Sequence, residues 1–330
     1  MKRVFIWGLG GLAALLALAV LAFIFTPWPS VALVQYVFSR GDQASSSALE
    51  KHVPANVVSR WDLTYGDGPD EHFDIHMPTD VTGPLPTIVW VHGGAWVAGS
   101  KGAVANYLMV LAGRGYTTVG IEYARGFGAT YPGPVEQVNA ALGYLVRNAD
   151  ALNIDRGAII LAGDSAGAQI AAQVALITTD ATYARGMGIL PALDPRQLRA
   201  VLLVSGAFDI AQVDLDGDLG WFVRSILWAY SGTKDFLGDE RFGLASVAQH
   251  VTSTFPAAFI SSGNGDPLAP QAEDLAQRLR VLGVDVDDLF FPADHSPPLP
   301  HEYQFNLDIP AGQEALERMT GFLRRILPRG

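Results

Sequence analysis

The stretch Leu161-Ala162-Gly163-Asp164-Ser165-Ala166-Gly167 constrains this chain more than any other. Residues 158–162 are a short apolar run suited to a buried strand. Residues 166–178 are rich in Ala, Gln, Ile, Val and Leu and favour helix. Between them lies G-x-S-x-G. A turn this tight brings backbones close together, so glycine is needed on both sides of the serine. It lifts the hydroxyl of Ser165 above the sheet, at a helix N-terminus whose N–H groups and dipole favour a developing anion. Ser165 is therefore the candidate nucleophile. With 35 glycines in the chain, five residues alone do not make a site, and the remaining parts must be found elsewhere.

Composition narrows the classes. The 330 residues are 49% hydrophobic and 17% charged, enough for a large core and far from a disordered composition. A net charge of −11 with no basic patch argues against nucleic acid as a partner. With no cysteine there is no disulfide, no thiolate chemistry and no cysteine-based zinc site.

Met1-Lys2-Arg3 precedes residues 4–25, which carry no charge. As a helix they rise about 33 Å, enough for a hydrocarbon core of roughly 30 Å. Trp7 and Trp28 fall near the two ends, and Pro27 and Pro29 stop the helix. This predicts a single-pass anchor in the lipid bilayer with the rest of the chain on the extracytoplasmic side. The alternative is a cleaved signal peptide and a secreted protein, since Ala17-Leu18-Ala19 fits the small-x-small rule. The organisation expected is a stub and anchor over 1–29, a juxtamembrane segment and polar linker over 30–51, and a globular domain over 52–330.

Within that domain, strands are expected at 57–65, 71–77, 87–91, 117–123, 158–162, 200–204, 257–260 and 284–291. Helices are expected at 104–112, 135–148, 166–178 and 269–282, with a closing amphipathic helix through Leu316, Met319, Leu323 and Ile326. The first two strands read as a hairpin. Alternation thereafter implies βαβ units and a mostly parallel sheet covered by helices on both faces. Sites in such sheets form beyond the C-terminal strand ends. Residues 207–250 interrupt the alternation and read as an inserted cap. Its Trp221 and Trp228, with Trp96, are candidate walls of a substrate pocket.

A serine hydroxyl needs a base, an orienter for that base and donors for an oxyanion. His92-Gly93-Gly94-Ala95-Trp96 follows a strand, and its glycines leave backbone N–H groups unshielded. The N–H groups of Gly93, Gly94 and Ala166 can form an oxyanion hole. Asp266 follows the strand at 257–260; read from its residues alone it is a solvated loop carboxylate, an N-cap, or the orienting acid. His295 and His301 both follow the last strand and compete as base. His72 and His76 lie on a strand, where a spacing of four is no helical ligand pair, and read as surface positions.

HGG-x-W after one strand and GDSAG after another resemble the α/β-hydrolase fold. More narrowly, they are similar to the hormone-sensitive-lipase-like carboxylesterases and esterase/acetylhydrolases. Glu122-Tyr123 and Tyr131-Pro132 resemble that family's Asp-Tyr-Arg…Phe-Pro segment. The resemblance spans roughly residues 55–328, with Ala95 where many members have a third glycine. Gly265-Asp266-Pro267-Leu268 lies in a segment that resembles G-x-x-D-P-L, which implies Asp266 as the acid. His301 precedes an aromatic-containing segment entering the final helix, as the family's base does. The resemblance thus implies a serine hydrolase of carboxylic esters with Ser165, His301 and Asp266 as its triad, acting on a small-molecule ester through an acyl-enzyme, with no cofactor and no metal. Other acyl hydrolases stay open on this scaffold: an arylformamidase-like amidase, a sugar-acetate esterase or a lipid acylhydrolase. So does a non-catalytic binding member of the fold.

Overall fold

The computed structural model describes residues 15–81, 83–217 and 219–327. Its eight strands are β1 (Val57–Thr64), β2 (His72–Pro78), β3 (Leu85–Val91), β4 (Thr117–Ile121), β5 (Ile154–Asp164), β6 (Leu198–Val204), β7 (Ala257–Ser262) and β8 (Val286–Phe290). They form one sheet in the order β1-β2-β4-β3-β5-β6-β7-β8. β1 and β2 form the expected antiparallel hairpin, β2 pairs antiparallel with β4, and every later pair is parallel. This is the α/β-hydrolase fold.

The strand residues show why the sheet is sandwiched. Along β3, Val89 and Val91 enter one core, while Ile88 and Trp90 enter the other. Along β5, Ile159 and Leu161 are divided in the same way from Ile160 and Ala162. Successive side chains point to opposite faces, so a strand covered on both sides must be apolar throughout. One face is covered chiefly by α4 (Gly133–Arg147), α6 (Ser165–Thr179) and α10 (Ala269–Val281), the other by α3 (Lys101–Ala112) and α11 (Pro310–Ile326). In α11, Leu316, Met319 and Leu323 are buried as expected, and Phe322 joins them. Each such side chain contributes about 1.5–3 kcal/mol on burial.

The stretch between β6 and β7 carries α8 (Gly220–Ser231) and the short α9 (Glu240–Gly243). It is joined to α6 by two buried glutamines. Gln169 Nε2 donates to the Ala245 carbonyl at 3.0 Å and Gln173 Nε2 to the Leu244 carbonyl at 3.1 Å. Amides on a nearly all-buried helix are tolerable because they are hydrogen-bonded.

Two expectations are corrected. The segment read as a polar linker is helical: α2 (Trp28–Leu49) runs through residues 41–49. Val31, Val34 and Leu49 are buried, and Gln35 Nε2 donates to the Val97 carbonyl at 2.8 Å. Ser and Ala dominate its later turns, and such residues suit a helix once a neighbour supplies packing. His76, read as a surface residue, is fully buried on β2, with its Nδ1 2.7 Å from Ser59 Oγ. The bulge between Arg60 and Leu63 of β1 alters the pairing beside it.

Residues 4–14 of the expected anchor lie outside the described residues. The rest of it forms α1 (Leu15–Phe25), whose Leu15, Leu18 and Phe25 are exposed. Among the described residues no single helix is long and apolar enough to cross a membrane; α1 and Trp28–His52 reach that length only as a pair bent by 89°.

Candidate active site

β5 ends at Asp164, and Ser165 opens α6 with φ of 50°. A serine in the left-handed region is strained and is held there by its surroundings. A side chain at Gly167 would collide with the carbonyl oxygens of Val91 and His92, and a Cβ at Gly163 would stand 2.6 Å from the Gly167 carbonyl. Both flanking glycines are therefore fixed by close approach of backbone.

β3 and β5 are neighbours, with Val91 paired to Gly163, so the HGG loop emerges beside the serine turn. β7 lies two strands further on and delivers Asp266; the loop after β8 delivers His301. His301 Nε2 stands 3.0 Å from Ser165 Oγ, and His301 Nδ1 stands 3.0 Å from Asp266 Oδ1. The structure thus brings together all three residues singled out in the sequence. His295, the rival base, lies instead against Phe291, with ring centroids 4.8 Å apart.

Asp266 is buried and well supplied with donors. Ser262 Oγ donates to its Oδ2 at 2.8 Å and the Leu268 N–H to its Oδ1 at 2.9 Å. Burial raises the cost of its charge. The hydrogen bond and charge of His301, with those donors, outweigh that and hold the carboxyl below its usual range. The Leu268 contact is an Asx turn two residues ahead of the α10 N-cap, which is Leu268 and carries no side-chain cap bond, so the N-cap reading of Asp266 is corrected. For His301, burial disfavours the cation. The hydrogen bond to Asp266 and the charges of Glu302, Asp266 and Asp164 overcome it and push the imidazole up to about 9. Such a series can take the proton of a serine hydroxyl and return it to a leaving group.

The oxyanion loop differs in one donor. The Gly93 N–H is committed to Asp164 Oδ2 at 2.8 Å, so Gly93 is corrected from anion donor to structural contact. A buried carboxylate competes successfully for a nearby N–H. Gly94 and Ala166 remain. Gly94 adopts φ of 115° in a turn whose carbonyl accepts from Val97 and Ala98. Ala166 lies in the first turn of α6, where N–H groups have no intrahelical acceptor.

Beneath this loop lies a network that sequence reading missed. His92 Nε2 is 3.0 Å from Glu122 Oε1, Arg125 donates to the same oxygen at 2.6 Å, and the Tyr123 hydroxyl donates to the His92 carbonyl at 2.7 Å. Burial opposes the charge of Glu122, yet His92, Arg125 and the Lys101 N–H pull its carboxyl down to about 2. The adjacent Glu122-Tyr123 pair after β4 was its only sequence signal.

The expected pocket walls divide. Trp96 is buried, stacked on Tyr230 at 5.0 Å and bonded through Nε1 to Gln169 Oε1 at 3.0 Å, so it is core rather than wall. Trp228 is half-buried under the Lys234 ammonium, 4.5 Å from the ring centroid. Trp221 is exposed and meets Phe222 edge-on.

The sheet order and the serine-bearing turn after β5 define an α/β hydrolase, and the relatives it matches are esterases. The chain belongs to the BD-FAE family, whose model matches residues 73–279. It is 28% identical to an esterase of Fusarium pseudograminearum over 73% of its own length and 75% of that protein. It is 29% identical to esterase LipC of Mycobacterium tuberculosis, over 77% of this chain and 65% of LipC. Esterase B from Lactobacillus Rhamnosis has the same fold, with a TM-score of 0.78 at 22% identity, covering 91% of this chain and 96% of that one.

Proposed function

We propose that this protein hydrolyses carboxylic esters of small molecules by nucleophilic catalysis. Ser165 attacks the ester carbonyl while His301 takes its proton. Asp266 fixes the imidazole tautomer and stabilises the imidazolium. The N–H groups of Gly94 and Ala166 stabilise the tetrahedral oxyanion. His301 then protonates the leaving alcohol, and water cleaves the acyl-enzyme by the same route. The observation that carries this reading is the continuous Ser165–His301–Asp266 hydrogen-bonded series, built on the C-terminal ends of three strands. The test is hydrolysis of nitrophenyl esters of graded acyl length by the full chain, with labelling by a fluorophosphonate. Ester turnover and an adduct on Ser165 are expected. Absence of both would leave a binding protein on this fold; cleavage of the matching amides in preference to esters would make it an amidase.

The same reading includes a membrane anchor formed by residues 4–25, with the hydrolase domain on the extracytoplasmic side. It is supported by 22 uncharged residues behind a basic start. Met1 retained in a carbonate-resistant membrane fraction is the expected result. A mature N-terminus near Val20 would mean a cleaved signal peptide instead.

A further inference from the structure

Ser165, His301 and Asp266 leave one ionisable group beside the base unused. Glu302 follows His301 and sits at φ of 58°, its N–H donated to Ser205 Oγ at 3.2 Å. This backbone turn directs its carboxyl back toward the site: Oε1 lies 3.5 Å from His301 Nε2, with the side chain 30% exposed. The same carboxyl is hydrogen-bonded to the side chain of Asp164. Both crowd Gly93, where a Cβ would stand 3.1 Å from Glu302 Oε1.

Two carboxyls joined by a hydrogen bond hold one proton between them. Asp164 is buried, and burial pushes its carboxyl up against the hydrogen bonds of the Trp90 indole, Glu302 and the Gly93 N–H. Glu302 is the more exposed partner, so charge is better solvated there. The pair therefore keeps one negative charge between its two carboxyls, and Glu302 Oε1 brings that charge to 3.5 Å from His301 Nε2. The groups facing His301 are then Asp266 from the loop after β7, Asp164 from β5, and Glu302 from its own loop. Behind Asp164 stand His92, Glu122 and Arg125.

We propose that Glu302 is a second positioning carboxylate for His301, held by the Asp164 carboxyl on the Nε2 side of the ring. Asp266 takes the Nδ1–H. Glu302 stabilises the imidazolium that forms when the Ser165 proton moves to Nε2. That proton then passes to the leaving alkoxide, and the proton shared by Asp164 and Glu302 stays between them. The inference rests on the hydrolase mechanism proposed above.

The test compares kcat and KM against pH for the full-length wild type, Glu302→Gln and Glu302→Asn on a short nitrophenyl ester. Asn is tolerated in the left-handed region, so the second variant removes the charge without straining the turn. Loss of the carboxylate is expected to move the acid limb of kcat/KM down by about one pH unit. It should also lower kcat roughly tenfold while KM changes less than about threefold. An acid limb unmoved in both variants overturns the proposal, whatever happens to kcat. So does a loss confined to KM. Fluorophosphonate labelling separates the two levels. Wild type that takes no adduct and cleaves no ester sinks the hydrolase reading itself, whereas labelled variants with an unmoved limb sink only the role of Glu302.

Discussion

The Gly93 N–H is bonded to the Asp164 carboxyl at 2.8 Å, so the oxyanion loop and the serine turn are held as one unit. Trp90 Nε1 adds a second donor at 2.7 Å. Replacing Asp164 by Ala strands two buried donors, at about 1–3 kcal/mol each. The expected result is a loss of roughly 2–6 kcal/mol in urea unfolding together with reduced ester hydrolysis.

Ser165→Ala is expected to lower hydrolysis of a short nitrophenyl ester by at least about 10³-fold and to abolish fluorophosphonate labelling. Asp266→Asn should lower kcat by roughly 10³–10⁴-fold, because an amide no longer stabilises the imidazolium or enforces the tautomer. Steady-state kinetics on both variants check this.

His301 must be neutral to accept the serine proton, and its carboxylate neighbours hold it protonated up to about pH 9. The expected kcat/KM therefore climbs with pH and levels near that value. The linkage has the matching sign. A folded value raised above 6.5 stabilises the protein most below 6.5, and that contribution is lost as pH rises through about 9. For His301→Ala the stability deficit relative to wild type should shrink across the same window, as followed by urea denaturation.

Glu122 has the opposite sign. Its folded value near 2 lies below 4.5, so its stabilisation is full above 4.5 and fades as pH falls toward 2. Glu122→Gln should cost roughly 3 kcal/mol at pH 7, since it leaves Arg125 and His92 around an uncharged group. Unfolding curves at pH 7 and pH 3 should show the difference narrowing at the lower pH.

Gly167 and Gly133 make a matched pair. A methyl group at Gly167 meets the backbone carbonyls of Val91 and His92, whereas nothing lies within 4 Å of one at Gly133. Gly167→Ala should destabilise by more than about 4 kcal/mol, while Gly133→Ala should stay within about 1 kcal/mol of wild type. Thermal melts of the two variants decide it.

The docked α2 predicts resistance to protease through residues 41–49, where a free linker would be cut. Val34→Asp places a charge at a position only 2% exposed and should open that segment to limited proteolysis.

Much of this molecule could be read from local pattern. Gly163 and Gly167 mark the turn because backbone approach there excludes a Cβ. The apolar runs mark β3, β5, β6 and β7 because a strand covered on both faces has no polar side. Ser165 followed from those two facts, and the family resemblance supplied Asp266 and His301. The helix over residues 41–49 was illegible because Ser and Ala carry no apolar stripe, and its stability comes from the neighbours it packs on. What only the tertiary structure decided is which groups meet across strands. The His301 ring stands between Ser165 and Asp266, the Gly93 N–H is taken by Asp164, and Glu302 turns back onto His301 and Asp164. Sequence patterns report one element's own faces. Most of these contacts join loops some 70 to 140 residues apart, and they exist because the sheet order brings the C-terminal ends of β3, β5 and β7 and the loop that follows β8 to one end of the sheet.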